Sequence, residues 1–139
     1  MKHFFFDTDI FTLFLRRPSV VVESVARHES DFVAITIISV QELWDGWSAA
    51  LSKARTPEEL AYGYRKLTET ITDLKPWPVE TCSAAAVARY QSLKKLRLNV
   101  GANDLKIAAI ALESGATVVT RNLRDFRRVP GLLCEDWSA

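Results

Sequence analysis

A parallel α/β fold is predicted by three observations. Strand-like and helix-like stretches alternate along the whole chain, as crossover connections between parallel strands require. The first strand candidate, His3 to Phe6, is apolar almost throughout, as a strand covered on both faces must be. The chain has 139 residues, 48% of them hydrophobic, which suits one core and leaves no room for a second.

Composition then narrows the function classes. A net charge of +1 with 25% charged residues excludes a basic nucleic-acid arm or an acidic tail, so any basic patch is local. Cys82 and Cys134 lack Cys-x-x-Cys spacing, which argues against a zinc site or disulfide scaffold and for reduced, packed thiols. The apolar start meets Asp7 and Asp9 too early for a signal peptide. No run approaches the ~20 apolar residues of a membrane span, so a soluble, cytoplasmic protein is expected.

The elements follow in order. His3 to Phe6 runs into Asp7-Thr8-Asp9, at the carboxyl end of a strand, where open α/β sheets bind ligands. Asp7 or Asp9 could equally cap a helix beginning near Ile10. Pro18 suits the start of the next helix, with Val21, Val22 and Val25 on its apolar face. Phe32 to Ile38 is rich in β-branched residues and reads as the second strand. Ser39 to Glu42 matches a capping box for a helix that buries Val40, Leu43, Trp44, Trp47 and Leu51. Thr56-Pro57-Glu58-Glu59 is a second capping box, opening a helix with a stripe of Leu60, Tyr64, Leu67, Ile71 and Leu74. These two stripes could also cover a partner or a second copy of the chain. Pro76 to Val79 is a stiff connector suited to a sheet edge. Thr81 can cap a helix running to about Arg97, apolar through Ala84, Val87, Ala88 and Leu96. From Val100 to Phe126 come Asp104 at the mouth of an apolar helix, a break at Gly115, a strand over Ala116 to Val119, and a polar turn carrying Asp125.

This pattern has a geometric consequence. In a parallel α/β sheet the helix N-termini and strand C-termini share one edge, so Asp7, Glu42, Asp104 and Asp125 should gather there. Each alone has a bland role as a cap. Together they would repel strongly in a partly dry cleft, and a divalent cation removes that conflict. Oxygen-only ligation without His or Cys favours Mg²⁺ or Mn²⁺ over zinc. His3 and His28 suit packing or surface roles. Between Lys94 and Arg128 eight bases outnumber Asp104, Glu113 and Asp125 by five, a local bias suited to a phosphate backbone or to an ordinary solvated face. Arg121 and Arg124 are the candidate substrate-binding bases.

Several ordered segments resemble PIN-domain ribonucleases of the VapC toxin type. They are Phe6-Asp7-Thr8-Asp9-Ile10, Ile38 to Leu43, Gly101 to Ala109, and Val119-Thr120-Arg121-Asn122 with Asp125-Phe126. The ending from Val129 to Trp137 is also similar. The resemblance implies a single PIN domain over residues 1–139, a three-layer α/β/α sandwich around a central parallel sheet. It further implies a Mg²⁺- or Mn²⁺-dependent endoribonuclease, a homodimer, and a cognate VapB-type antitoxin. By position the catalytic acids would be Asp7, Glu42, Asp104 and Asp125, with Asp7 and Asp104 holding metal and Thr8, Thr120 and Asn122 in support. Two other readings stay open. Asp7 and Asp9 are similar to the nucleophile and acid-base pair of haloacid-dehalogenase-like phosphatases. Alternatively, the acids are purely structural and the helical stripes serve protein binding.

Overall fold

The computed structural model describes residues 1–138. In chain order it contains β1 (His3–Phe6), α1 (Thr8–Arg16), a 3-10 turn (Pro18–Val20), α2 (Val22–Arg27), β2 (Phe32–Thr36), α3 (Ile37–Lys53) and α4 (Pro57–Leu74). These are followed by β3 (Val79–Glu80), α5 (Ala84–Lys95), α6 (Ala102–Ser114), β4 (Thr117–Val119), α7 (Leu123–Phe126) and β5 (Cys134–Glu135). The strands form one parallel sheet in the order β3-β2-β1-β4-β5.

Strand alternation explains the layers. Phe5, Ala34 and Val118 point to one face, where α5 and α6 supply Ala86, Leu93 and Ile107. Phe4, Phe6, Ile35 and Val119 point to the other, where Ile10, Phe11, Val21 and Trp137 meet them. Two apolar clusters therefore sandwich the sheet between helical layers, which is why β1 is apolar at successive positions. Trp77 packs its ring against Phe6, Phe11 and Phe14, fixing the connector that leads to edge strand β3.

Several local expectations need correction. The second strand stops at Thr36, and Ile37 and Ile38 already belong to α3. Ser39 is thus not a cap, and Glu42 lies in the second turn of the helix instead of opening it. β-branched residues favour strands only when the sheet continues, and here the neighbouring strand β1 ends at Phe6, level with Ile35. Val21, the residue before α2, and Ser24 within it are buried, while Val22 is exposed. Trp44 is 52% exposed, and Leu60, Tyr64 and Ile71 lie open on α4, so those stripes are only partly covered within the chain. Ser83, rather than Thr81, caps α5 by accepting the Ala86 N–H. Ala86 and Leu93 are its buried positions, whereas Val87 and Leu96 are exposed.

Other signals operate as expected. Thr56 Oγ1 accepts the Glu59 N–H at 3.1 Å, with Pro57 at the first helical position. Gly115 ends α6 in the left-handed region at φ 64°, which a side chain would disfavour. Among the described residues no helix is long and apolar enough to cross a membrane.

Candidate active site

β2 and β3 lie on one side of β1, while β4 and β5 lie on the other. The chain therefore reverses its direction of sheet growth at β1, leaving a crevice beyond the carboxyl ends of β1 and β4. Phe6 pairs with Val119, so Asp7 and Thr120 leave the sheet side by side. The Asp7 N–H donates to Val119 O at 3.0 Å, which holds this register one step past the strand.

Asp7 is buried, and each carboxylate oxygen has a donor. Oδ1 accepts the Ile10 N–H at 2.9 Å, which makes Asp7 the N-cap of α1. Oδ2 accepts the Thr120 hydroxyl at 2.6 Å. Burial nevertheless pushes its pKa up to about 6; those two hydrogen bonds pull the other way, and the charges of Asp9 and Asp104 add to the rise. Each oxygen retains a lone pair for a further partner.

Asp104 sits in the first turn of α6, whose N-cap, Gly101, offers no side chain. Its carboxyl is also raised, first by burial and then by the charges of Glu42, Asp125 and Asp9. Asp104 is thus the common electrostatic neighbour of acids supplied by three other segments: Asp7 and Asp9 at the start of α1, Glu42 on α3 and Asp125 on α7. Glu42 Oε1 accepts the Thr8 hydroxyl at 2.6 Å, and Thr8 Oγ1 lies 2.9 Å from the buried Ser39 hydroxyl. Since Thr8 has one proton and gives it to Glu42, Ser39 is the donor to Thr8. Asp125 accepts from Asn122 Nδ2 at 2.9 Å and from Arg128 Nη1 at 3.0 Å. The same Arg128 nitrogen reaches Asn99 O at 2.8 Å, tying the loop before α6 to the last acid.

Among the described residues, no three His, Cys, Asp or Glu side chains converge tightly enough to hold a metal ion as they stand. Glu42 and Asp125 are each turned toward hydrogen-bond donors of their own. Arg121 is engaged in a two-pronged pair with Asp9, while Arg124 is exposed on α7. His28 stacks on Trp137 at 4.2 Å, a packing role, and both cysteines are free.

Ser39, Asp9 and Arg128 are the polar partners that motif spacing missed. The Ser-x-x-Glu spacing fits a cap at Ser39, but α3 already starts at Ile37. The signal for Asp9 was the matched position of Asp7-Thr8-Asp9 and Thr120-Arg121 after adjacent strands, which requires the strand order.

The sequence profile of the PIN domain matches residues 4–132. Ribonuclease VapC2 of Rickettsia felis is 30% identical over 110 residues, covering 79% of this chain and 78% of that protein. Ribonuclease VapC1 of Haemophilus influenzae strain R2866 is 28% identical over 134 residues, covering 95% and 96%. The crystal structure of DNA-bound VapBC from Salmonella typhimurium superposes with a TM-score of 0.77 at 27% identity, covering 99% of both chains. The chain belongs to the PIN domain family and, within it, to the ribonucleases named VapC, the toxin members of VapBC pairs.

Proposed function

We propose that this protein hydrolyses RNA phosphodiester bonds as a divalent-cation-dependent endoribonuclease, with Mg²⁺ or Mn²⁺ as the ion and a VapB-type antitoxin as its inhibitor. One observation carries the reading: Asp7, buried beside Thr120 at the ends of adjacent strands, and Asp104, in the first turn of α6, are both held above the ordinary carboxylate pKa, by burial first and by neighbouring acids second. The donor set fits a hard cation, since it contains carboxylate and hydroxyl oxygens and no sulfur or imidazole. Asp7 and Asp104 would hold the ion, and Glu42 and Asp125 would complete the site. Such an ion, when bound, lowers the pKa of a water molecule and stabilises charge developing on the phosphate.

The chain's own residues prepare that chemistry. Thr120 and the Ile10 N–H orient Asp7, Thr8 fixes Glu42, and Asn122 with Arg128 fixes Asp125. These partners set the carboxylates before substrate arrives, which limits reorganisation during the reaction. Arg121 and Arg124 would bind the backbone phosphates. The exposed Trp44, Leu60, Tyr64 and Ile71 provide apolar area for homodimerisation or for the antitoxin. On this reading the activity is cytoplasmic, where an RNA substrate and an antitoxin would meet it. The aspartyl-phosphatase alternative is disfavoured because Asp9, its acid and base, is paired with Arg121.

Cleavage of a labelled RNA by purified wild type and Asp104→Asn, with circular dichroism to verify folding, tests the proposal. The wild type should cleave only with Mg²⁺ or Mn²⁺, and the variant should be inactive. A folded Asp104→Asn protein that cuts at the wild-type rate would show that the site is elsewhere.

A further inference from the structure

Arg121 is a cation that the topology itself carries to the rim of the crevice, and its guanidinium is already occupied. Because Phe6 pairs with Val119, the two segments leave the sheet in step, with Asp7 beside Thr120 and then Asp9 near Arg121. Arg121 Nε donates to Asp9 Oδ2 at 2.9 Å and Nη2 donates to Asp9 Oδ1 at 3.0 Å. This is the two-pronged geometry that a guanidinium adopts with either a carboxylate or a phosphate. Asp7, Glu42 and Asp125 are each tied to other donors, whereas Asp9 faces outward on the first turn of α1. Its side chain is 58% exposed and that of Arg121 is 45% exposed. Capping does not explain Asp9, since Asp7 already performs it, and an exposed pair of this kind adds little to fold stability.

We propose that Asp9 is an intramolecular stand-in for a backbone phosphate of the substrate, occupying the Arg121 fork until RNA displaces it. The proposal rests on the endoribonuclease reading. The pair fixes the guanidinium's orientation and keeps its charge from collapsing onto Asp7. Every RNA phosphate seated on Arg121 must first exchange with a carboxylate already there. An RNA held by several contacts makes that exchange, whereas one lone phosphate competes poorly. Asp9 thus sets a threshold for substrate entry.

The test uses wild type, Asp9→Asn, Arg121→Ala and the double variant. Binding of a fluorescein-labelled single-stranded RNA of mixed sequence is read by anisotropy in EDTA, and KM for the same RNA is read in Mn²⁺. Asp9→Asn should tighten binding and lower KM by roughly threefold to tenfold. Arg121→Ala should weaken binding, and the double variant should match Arg121→Ala, because the gain needs a freed Arg121. An equal gain in both backgrounds would mean that Asp9 acts only as a nearby negative charge and would overturn the proposal. So would unchanged or weaker binding by Asp9→Asn in a wild type that binds and cleaves RNA. If the wild type neither binds nor cleaves, the endoribonuclease reading itself fails and takes this proposal with it.

Discussion

Thr120 Oγ1 donates to Asp7 Oδ2 across 2.6 Å and accepts the Asn122 N–H at 2.8 Å, so residues 113 positions apart share one hydrogen-bonded chain. The pairing of β1 with β4 brings them together, and the same adjacency creates the crevice. A buried carboxylate with two donors is still costly, because its charge has left water. The consequences can be measured.

The pH dependence of stability should carry the signature of Asp7. Its folded pKa of about 6 lies above the ordinary 3.8, so at intermediate pH the folded chain keeps a proton that the unfolded chain releases. Stability therefore falls as pH rises from about 4 to about 6. Asp7→Asn removes this term. It should be about 1–3 kcal/mol more stable than wild type at pH 7 and no more stable below about pH 4. Urea unfolding across that range provides the comparison.

Thr120→Val keeps the side chain's shape but strips donors and acceptors from two neighbours. Asp7 Oδ2 and the Asn122 N–H both lose their partner. The expected loss is about 1–3 kcal/mol in unfolding free energy. Mn²⁺ affinity by isothermal titration calorimetry should fall by about tenfold or more. An unchanged affinity would separate Thr120 from the acidic crevice.

Removing the hydroxyl that orients Glu42 should affect turnover more than substrate affinity. In Thr8→Val, Glu42 Oε1 loses its 2.6 Å donor, and Ser39 loses its acceptor. A fall of about tenfold to a hundredfold in kcat with KM nearly constant is expected, and Thr8→Ser should restore much of it. Equal activity in Thr8→Val would show that the Thr8 hydroxyl does not position Glu42 for the reaction.

The α3–α4 pair has its own weak point. Gly63 is buried, and a Cβ placed there would meet Leu51 Cδ2 at 2.7 Å and Cγ at 3.3 Å. Gly63→Val should destabilise the chain by about 1–3 kcal/mol by driving the Leu51 side chain out of its seat on α4. Hydrogen exchange should quicken in α3 and α4 while the sheet strands remain protected.

Legibility depended on how local each feature was. The apolar run at Phe4-Phe5-Phe6, the Thr56-Pro57 helix start and the Gly115 stop are set by neighbours in sequence, and all three were readable. The boundary at Thr36 was not, because Thr36-Ile37-Ile38 suits a strand or a helix and only the end of the pairing with β1 decides between them. Trp44 and Ile71 looked like core at helical spacing. Periodicity shows which residues share a face, however, and not whether anything covers it.

Local pattern alone predicts the alternation of strands and helices, hence a parallel sheet, and puts Asp7 just past a strand and Asp104 in the first turn of a helix on the same sheet edge. Which donor each acid meets is set by the packed fold: Thr120 for Asp7, Thr8 for Glu42, Asn122 with Arg128 for Asp125, and Arg121 for Asp9. The physical reason is that hydrophobic period and capping are one-dimensional properties of short segments. A hydrogen bond between residues 7 and 120 depends on strand order, and strand order is chosen by packing the whole chain at once.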